Sequence, residues 1–311
     1  MPAAGARDGV IREERFRTIH RRVHAGHPAC IRDEWLSEPC RTAARRLVAP
    51  IVWSRRNGPW TRVDVLFVGA APGNAGGKGS GDLGAHGTRI PFGGDIAGAN
   101  LEVLLGAAGL NRNEVFIVAA YNRLPERGGG EPTLDEIRAP VGDHASSIDL
   151  LRATIIATGP KLIVALGNVA LRCIAASVEP PTQRLPGLTR LEKRGLVRGR
   201  VIPLAAVSAP DEEFVDSWRA AQDTDLPALL WLIHPSGQNM SPFAGEETAF
   251  HQRLLDTRAA LRAAVTDLLD VRPPETRPPI PHSGIYALAE WRERIAPRLV
   301  RLDRRWRDRG I

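Results

Sequence analysis

The sequence predicts an α/β protein built around a central sheet of four parallel strands, and three observations support this prediction. Four short apolar runs are bounded by turn-forming residues, as buried parallel strands are; they lie near residues 63–69, 115–120, 161–166 and 229–233. Longer segments with helical composition separate the runs, as doubly wound folds require. Polar or glycine-rich segments follow the first and last runs directly. Because ligands of open α/β sheets bind beyond the carboxyl ends of the strands, both segments should reach one crevice.

The elements divide the chain of 311 residues into three parts. Residues 1–61 should form a basic helical N-terminal extension. Residues 62–271 should form the central domain, with helices near residues 95–109, 133–158, 167–176 and 246–269. An insertion at residues 177–227 separates the last two strands, and its segment 191–202 reads as a basic hairpin with an Arg-Gly tip. Residues 272–311 should form a proline-rich linker and a C-terminal helix.

Composition allows an ordinary soluble enzyme and excludes some other classes. The chain is 43% apolar, which suffices for a core, but it has no run of about 18 apolar residues that would span a membrane. The N-terminus lacks the apolar segment of a secretion signal. The chain has three cysteines, too few for a disulfide framework. We therefore expect a cytoplasmic monomer without a membrane partner.

The charge of the chain favours a polyanionic partner. The formal net charge is +7 at pH 7, and residues 1–62 hold 13 arginines against 6 acidic residues. Binding to nucleic acid gains affinity when basic side chains neutralise phosphates and release counterions. The alternative is that these arginines belong to solvated helix faces. Net charge is the more useful observation, because only three residues are lysine and arginine abundance can follow genome composition.

Six sequence segments resemble a known family in their order and spacing. They are GAAP at 69–72, RIPFGGDIAG at 89–98, VFIVAAYN at 115–122, PTLDEI at 132–137, PKLIVALG at 160–167 and HPSGQN at 234–239. Over about residues 60–270, the chain resembles the uracil-DNA glycosylase superfamily, and most closely its family 5 branch. The resemblance implies a three-layer α/β/α fold. It also implies a monofunctional DNA glycosylase, which flips a base out of DNA and hydrolyses its N-glycosidic bond.

The same resemblance implies the catalytic residues. His234 would donate a hydrogen bond to the oxygen of the departing base; the alternative is a structural histidine at a strand end. Ala71 replaces the water-positioning asparagine of several superfamily branches, as alanine does in family 5. Asp95 is therefore our first choice for positioning water, although an aspartate before residues 96–101 is also a good helix cap. Asn74 is the next choice, followed by Asp82 and His86.

Further residues are candidates for binding the base and the DNA strand. The base pocket would comprise Ala71, Pro72, Gly73, Phe92, Tyr121 and Asn122, with Phe92 as the stacking face. DNA contacts would come from Lys78, Arg89, Ser236, Gln238, Asn239 and Phe243, with Phe243 as an apolar wedge. For Phe92, Tyr121 and Asn122, an ordinary structural role is the competing interpretation.

The loop after the first strand suggests a roomy base pocket. Ten of the 26 residues between Gly69 and Gly94 are glycine, and the loop is longer than that of uracil enzymes. Small residues would admit deaminated purines or a bulky 5-substituted cytosine. The role would then be base-excision repair or defence against phage with modified DNA. The alternative is a surface loop that becomes ordered only on DNA.

No cofactor is expected. Family 4 and family 5 enzymes usually hold an iron–sulfur cluster with four cysteines, whereas this chain has Cys30, Cys40 and Cys173 and no CxxC pair. We interpret the three cysteines as small buried residues and predict neither cluster nor other metal.

Three other function classes remain open. Residues 73–79, GNAGGKG, miss the spacing of a phosphate-binding P-loop and of a dinucleotide-binding motif, which disfavours an NTPase or a dehydrogenase. A catalytically inactive DNA-binding member of the superfamily is the main alternative. A lyase that uses Lys78 as a Schiff-base nucleophile is a further one.

Overall fold

A computed structural model describes residues 63–71, 92, 96–110, 115–121, 132–139, 146–181, 185–222, 224–236, 239–240 and 248–269. The predicted terminal extensions, residues 1–61 and 272–311, lie outside these residues. The strands are β1 Val65–Gly69, β2 Val115–Ala119, β3 Leu162–Leu166, β4 Val201–Pro203 and β5 Ala228–Leu232. The helices are α1 Ile96–Ala107, α2 Leu134–Arg138, α3 Ser147–Thr158, α4 Asn168–Val178, α5 Leu188–Lys193, α6 Leu204–Val207, α7 Glu212–Ala221 and α8 Ala249–Leu269.

The sheet has five strands in the order β2-β1-β3-β5-β4. The four predicted strands are present and pair in parallel. The prediction of a purely four-stranded sheet is wrong, because β4 of the insertion pairs with β5 in the antiparallel direction. Three residues pair in this way, at the edge of the sheet. The local sequence places residues 201–202 in a hairpin and does not indicate that they pair with β5 instead.

The first three strands along the chain are buried along their whole length because they are covered on both faces. Every residue of β1, β2 and β3 is buried. Leu66 and Val68 pack into a larger core with α2, α3, α4, α6 and α7. Val65 and Phe67 point the other way, into a smaller core with α1 and α8. This alternation follows from the two-residue period of a strand and yields three layers, helices on each side of one sheet.

The region predicted as one long helix, residues 133–158, contains two helices. Thr133 begins α2 and Ser146 begins α3, and each has a capping box, completed by Glu136 and Asp149 respectively. In such a box the side chain of the cap and that of the third helical residue satisfy backbone N–H groups that a helix leaves open. The prediction of one continuous helix is therefore wrong, because the second capping box begins a new helix at Ser147.

The hairpin prediction at residues 191–202 is wrong. Residues Leu188–Lys193 form helix α5, and the Arg-Gly pair at its end closes that helix instead of turning between two strands. Gly195 has φ 91°, and its N–H donates to the carbonyl of Glu192 over 2.9 Å. Glycine adopts this left-handed conformation without steric cost, which is why it commonly ends helices.

Two ion-pair groups order the insertion: one joins it to α3, and the other lies within it. Arg152 of α3 binds Asp211, the N-cap of α7, with a shortest distance of 2.6 Å. Glu179, only 4% exposed, pairs with Arg194 at 2.9 Å and Arg190 at 3.3 Å. The insertion is therefore packed against the larger core as a folded part of the domain.

Candidate active site

Three neighbouring strands bring candidate residues to one edge of the sheet. Gly69 ends β1, Gly167 follows β3 directly, and His234 lies two residues beyond the end of β5. Because β1, β3 and β5 are adjacent and parallel, their carboxyl ends meet at one crevice. The structure thus brings the start of the first motif and the start of the last motif to the same place, as the sequence predicts.

Gly167 and His234 are packed closely, so that a side chain at position 167 would crowd His234. Gly167 has φ 94°, and a Cβ atom added to it would lie 3.2 Å from Cβ of His234. Its N–H also donates to the carbonyl of Leu232 over 2.9 Å. Glycine is required here both by its backbone conformation and by the close approach. His234 therefore packs against the backbone at Gly167, where β3 ends and α4 begins.

The tautomer of His234 follows from its hydrogen bond within the loop. The backbone N–H of Ser236 donates to Nδ1 of His234 over 3.2 Å. A nitrogen that accepts a hydrogen bond carries no proton, so the neutral ring has its proton on Nε2. His234 is half-buried and lines a cavity. The ring is thus fixed as a hydrogen-bond donor through Nε2.

Phe92 lies next to the end of β1 and to His234, which follows β5. A Cβ atom added to Gly69 would lie 3.1 Å from the ring of Phe92, and the centroid of this ring is 5.7 Å from that of His234, at 39°. Phe92 has φ 55°, an uncommon left-handed conformation for a bulky residue. Such local strain persists where the surroundings impose it. The structure therefore places Phe92 beside His234, in a position where its ring can contact a base.

Asn100, which the sequence analysis missed, holds the loop that carries His234. It lies in α1, is fully buried, and donates from Nδ2 to the carbonyls of Pro235 and Met240 over 2.6 and 3.1 Å. Two carbonyls on either side of Ser236 and Asn239 are thereby fixed to one helix. Asn100 is one of only two polar residues, with Glu102, in the segment IAGANLEVLL, and this is the signal that could have revealed it.

Ser236 and Asn239 order the loop from within. The side-chain amide of Asn239 donates to the carbonyl of His234 over 3.1 Å and to Oγ of Ser236 over 3.0 Å. These bonds keep the turn after His234 compact. The predicted contacts of both residues with DNA remain predictions.

Ala71 and Tyr121 lie at the ends of β1 and β2. The N–H of Tyr121 donates to the carbonyl of Ala70 over 2.9 Å, and its side chain is 3% exposed within the larger core. Ala71 is half-buried against the same core. Little of the Tyr121 surface is thus accessible from the crevice.

The remaining candidates lie outside the described residues: Pro72, Gly73, Asn74, Lys78, Asp82, His86, Arg89, Asp95, Asn122, Gln238 and Phe243.

A cavity of about 350 Å³ opens beside His234, between the ends of β3 and β5 and helix α8. Its polar lining comes from Asn168, Arg198, His234, Asn239 and Arg253, with Gly167 at its base. Its described lining thus holds two arginines and no carboxylate. The sequence analysis missed both arginines, since one lies in the insertion and the other in a helix far along the chain.

The described residues show no metal site or membrane helix. Burial raises the pKa of the Cys173 thiol to about 12, so this thiol stays protonated and is a poor metal ligand. With three cysteines, the chain does not supply the four thiolates that an iron–sulfur cluster takes in family 4 and family 5 enzymes. Within the described ranges, no group of three His, Cys, Asp or Glu residues could hold a metal. No helix there is long and apolar enough to cross a membrane.

Comparison with known proteins identifies the family. No curated protein matches the chain. The sequence model of the uracil DNA glycosylase superfamily matches residues 56–299, which include all five strands and the segment HPSGQN. This match covers most of the chain and agrees with the parallel sheet and the crevice at its carboxyl edge. The chain therefore belongs to the uracil DNA glycosylase superfamily, whose members are typically DNA glycosylases that act on a DNA substrate.

Proposed function

We propose that this protein is a monofunctional DNA glycosylase that extrudes a deaminated or modified base and hydrolyses its N-glycosidic bond, leaving an abasic site. The observation that supports it best is the fixed orientation of His234. Its ring lies at a rigid strand end, accepts the Ser236 N–H at Nδ1 and carries its donor proton on Nε2. Superfamily membership supports the reaction class.

The chemistry explains why this donor matters. Cleavage of an N-glycosidic bond leaves negative charge on the departing base and positive charge on the sugar. A preoriented donor stabilises the developing oxyanion more than the ground state, which lowers the barrier. Hydrogen bonds from Asn100 and Asn239 hold the loop, so His234 need not reorganise during the reaction.

The other steps of the mechanism are assigned as follows. Phe92 stacks on the extruded base, because its ring stands beside His234 at a centroid distance of 5.7 Å. Asp95 positions the attacking water, and Asn74, Asp82 and His86 are the alternatives. Asp95 immediately precedes α1, the helix that carries Asn100. One helix would therefore link the water-positioning residue to the loop of the donor.

The substrate is proposed to be a base larger than uracil. The glycine-rich segment after β1 offers few bulky side chains that would exclude a substituent at C5 of a pyrimidine. A deaminated purine or a bulky 5-substituted cytosine fits such a pocket. The biological role would be repair in the first case and defence against phage with modified DNA in the second.

The test begins with a panel of duplex oligonucleotides that carry uracil, hypoxanthine, xanthine or 5-modified cytosines, and with phage genomes that contain modified bases. Abasic sites are detected by cleavage in alkali. On the substrate found, His234→Ala should lower base release by about two orders of magnitude or more, as loss of an oxyanion donor does. DNA binding and melting temperature should stay close to wild type.

Three outcomes would contradict the proposal. Undiminished base release by His234→Ala would remove His234 from the mechanism. DNA binding without base release on any substrate would favour the inactive DNA-binding alternative. Trapping of a covalent protein–DNA complex with borohydride would indicate a lyase with an amine nucleophile instead of direct hydrolysis.

A further inference from the structure

We infer that Arg198 and Arg253 form a clamp for one backbone phosphate of the DNA strand next to the extruded nucleotide. This inference rests on the proposed function and adds a binding site to it. The clamp is defined as these two side chains, which line the cavity that also contains His234.

The first argument is charge. No carboxylate lines the described part of the cavity, and neither guanidinium forms an ion pair with a described carboxylate. The arginines of the nearby structural pairs differ, since Arg152 and Arg194 each bind an acidic side chain. Two positive charges in one concave site, with no carboxylate among its described lining residues, favour an external anion. Guanidinium groups match the oxygens of a phosphate with two parallel donors.

The second argument is preorganisation. The guanidinium carbon of Arg198 lies 4.4 Å from the ring centroid of Trp231, a residue of β5 that is 4% exposed. The next residue, Gly199, donates its N–H to the carbonyl of Trp231 over 2.8 Å. Backbone and side chain of this segment are thus both fixed against β5. A cation held over an aromatic face loses less freedom on binding its ligand.

Arg253 is held from the other side of the cavity. Its guanidinium lies 5.7 Å from the ring centroid of Phe250, and Nη1 donates to the carbonyl of Asn239 over 3.4 Å. The second bond connects the arginine to the loop of His234. Arg253 therefore connects the cavity directly to the loop that carries His234.

The third argument is the start of α4. Gly167 and Asn168 line the cavity, and Gly167 is the N-cap of this helix without a side-chain hydrogen bond to its first turn. Uncapped N–H groups and the helix dipole attract an anion. The cavity therefore offers positive charge from three directions, two side chains and one helix end.

The neighbourhood of His234 limits the identity of the anion. A DNA strand whose base is extruded toward His234 must carry its flanking phosphates past the same crevice. The cavity is open to solvent and polar, and it does not have the apolar walls that would enclose a base. The occupant is therefore a phosphodiester of the strand and not a second base.

The experiment measures binding to a duplex that contains one tetrahydrofuran abasic analogue, which has no base to release. Fluorescence anisotropy is recorded over a series of salt concentrations for Arg198→Gln, Arg253→Gln and the double variant. Arg200→Gln and Arg262→Gln are matched controls, because both arginines are exposed, lie in the same two segments and do not line the cavity. All four single variants remove one positive charge.

The expected result is a loss of affinity of about tenfold for each clamp variant, with a salt slope smaller by about 0.9 for each ion pair removed. The controls should lose less than about twofold and keep the wild-type slope. Equal losses in clamp and control variants would show that net charge alone matters and would overturn the clamp. Unchanged binding of the double variant, or no wild-type binding to the analogue duplex, would also overturn it.

A second arm identifies the phosphate. Each phosphate around the analogue is replaced in turn by an uncharged methylphosphonate. At one position the replacement should lower the DNA affinity of the wild type but not that of the double variant, because the double variant already lacks the arginines that bind this phosphate. If the methylphosphonate lowers the affinity of the wild type and of the double variant by the same factor at every position, the clamp is contradicted. Failure of the base-release panel would refute the proposed function separately, since this binding experiment requires no base.

Discussion

Two groups of arginines in this protein show opposite uses of the same side chain. In the structural pairs, Arg152 lies 2.6 Å from Asp211 and Arg194 lies 2.9 Å from Glu179. At the cavity, Arg198 and Arg253 contact aromatic rings instead, and no described carboxylate pairs with them. Arg194 and Arg198 are only four residues apart in the same insertion.

The carboxylates that surround an arginine therefore decide what it does in this fold. Where a buried acid faces it, as at Glu179, the positive charge is neutralised inside the fold and stabilises the insertion. Where the neighbours are aromatic rings and backbone, the charge remains available to an anion from outside. Structural arginines should therefore affect stability, and cavity arginines should affect DNA binding.

The largest effect on stability should come from the neutral hydrogen bonds that hold the cavity wall. Asn100→Leu removes the donor of two buried carbonyls, at about 1–3 kcal/mol for each. We expect a clear fall in the free energy of unfolding by urea denaturation. The control is Thr154→Val, at an equally buried polar residue that bonds within one helix. If both variants lose the same stability, Asn100 has no special role in holding the loop.

The second prediction concerns the structural pair and its dependence on pH. Arg152→Met should lower the free energy of unfolding at pH 7 by about 2 kcal/mol, since hydrogen bonds to charged groups contribute about 1.5–3 kcal/mol. The hydrogen bond from Arg152 lowers the pKa of Asp211 below its ordinary value of 3.8. Because the lowered pKa belongs to the folded state, the stabilisation is present above this ordinary value. It is lost as the pH falls through the folded pKa.

Denaturation of wild type and Arg152→Met from neutral pH into acid measures this effect. The difference between the two proteins should be constant at neutral pH and shrink below about pH 4, where the unfolded Asp211 becomes protonated. A difference that stays the same across the whole range would mean that packing of Arg152 over Phe214, at 5.4 Å, provides the stabilisation instead.

The smallest effect on stability should come from the cavity arginines. Arg198→Gln and Arg253→Gln each remove an exposed cation from an aromatic ring, a contact of about 0.5–1 kcal/mol. Their unfolding curves should therefore lie near that of wild type, although their DNA binding falls. If these variants lose as much stability as Arg152→Met does, the arginines of the cavity and those of the ion pairs do not differ in their effect on stability.

The buried parallel strands and the position of His234 were predictable because the sequence features that indicate them lie within short segments. The apolar runs of β1, β2 and β3 need no knowledge of their partners to be read as buried strands. The two motifs that end β1 and follow β5 reach one crevice because parallel strands place them there. The hairpin predicted at residues 191–202 is wrong in its first half, which is the helix Leu188–Lys193, and in the partner of its second half, since Val201–Pro203 pairs with β5.

The apolar runs predicted the parallel strands, and the order of the six motifs indicated the family and the place of HPSGQN after the last parallel strand, because both signals can be read along an unfolded chain. The folded structure was needed to establish that Asn100 holds the His234 loop, 135 residues away in the bond to Pro235. It also decided that Arg198 and Arg253 share a cavity while Arg194 serves an ion pair. These roles depend on which groups meet across long separations, and burial and charge neutralisation exist only once the chain has folded.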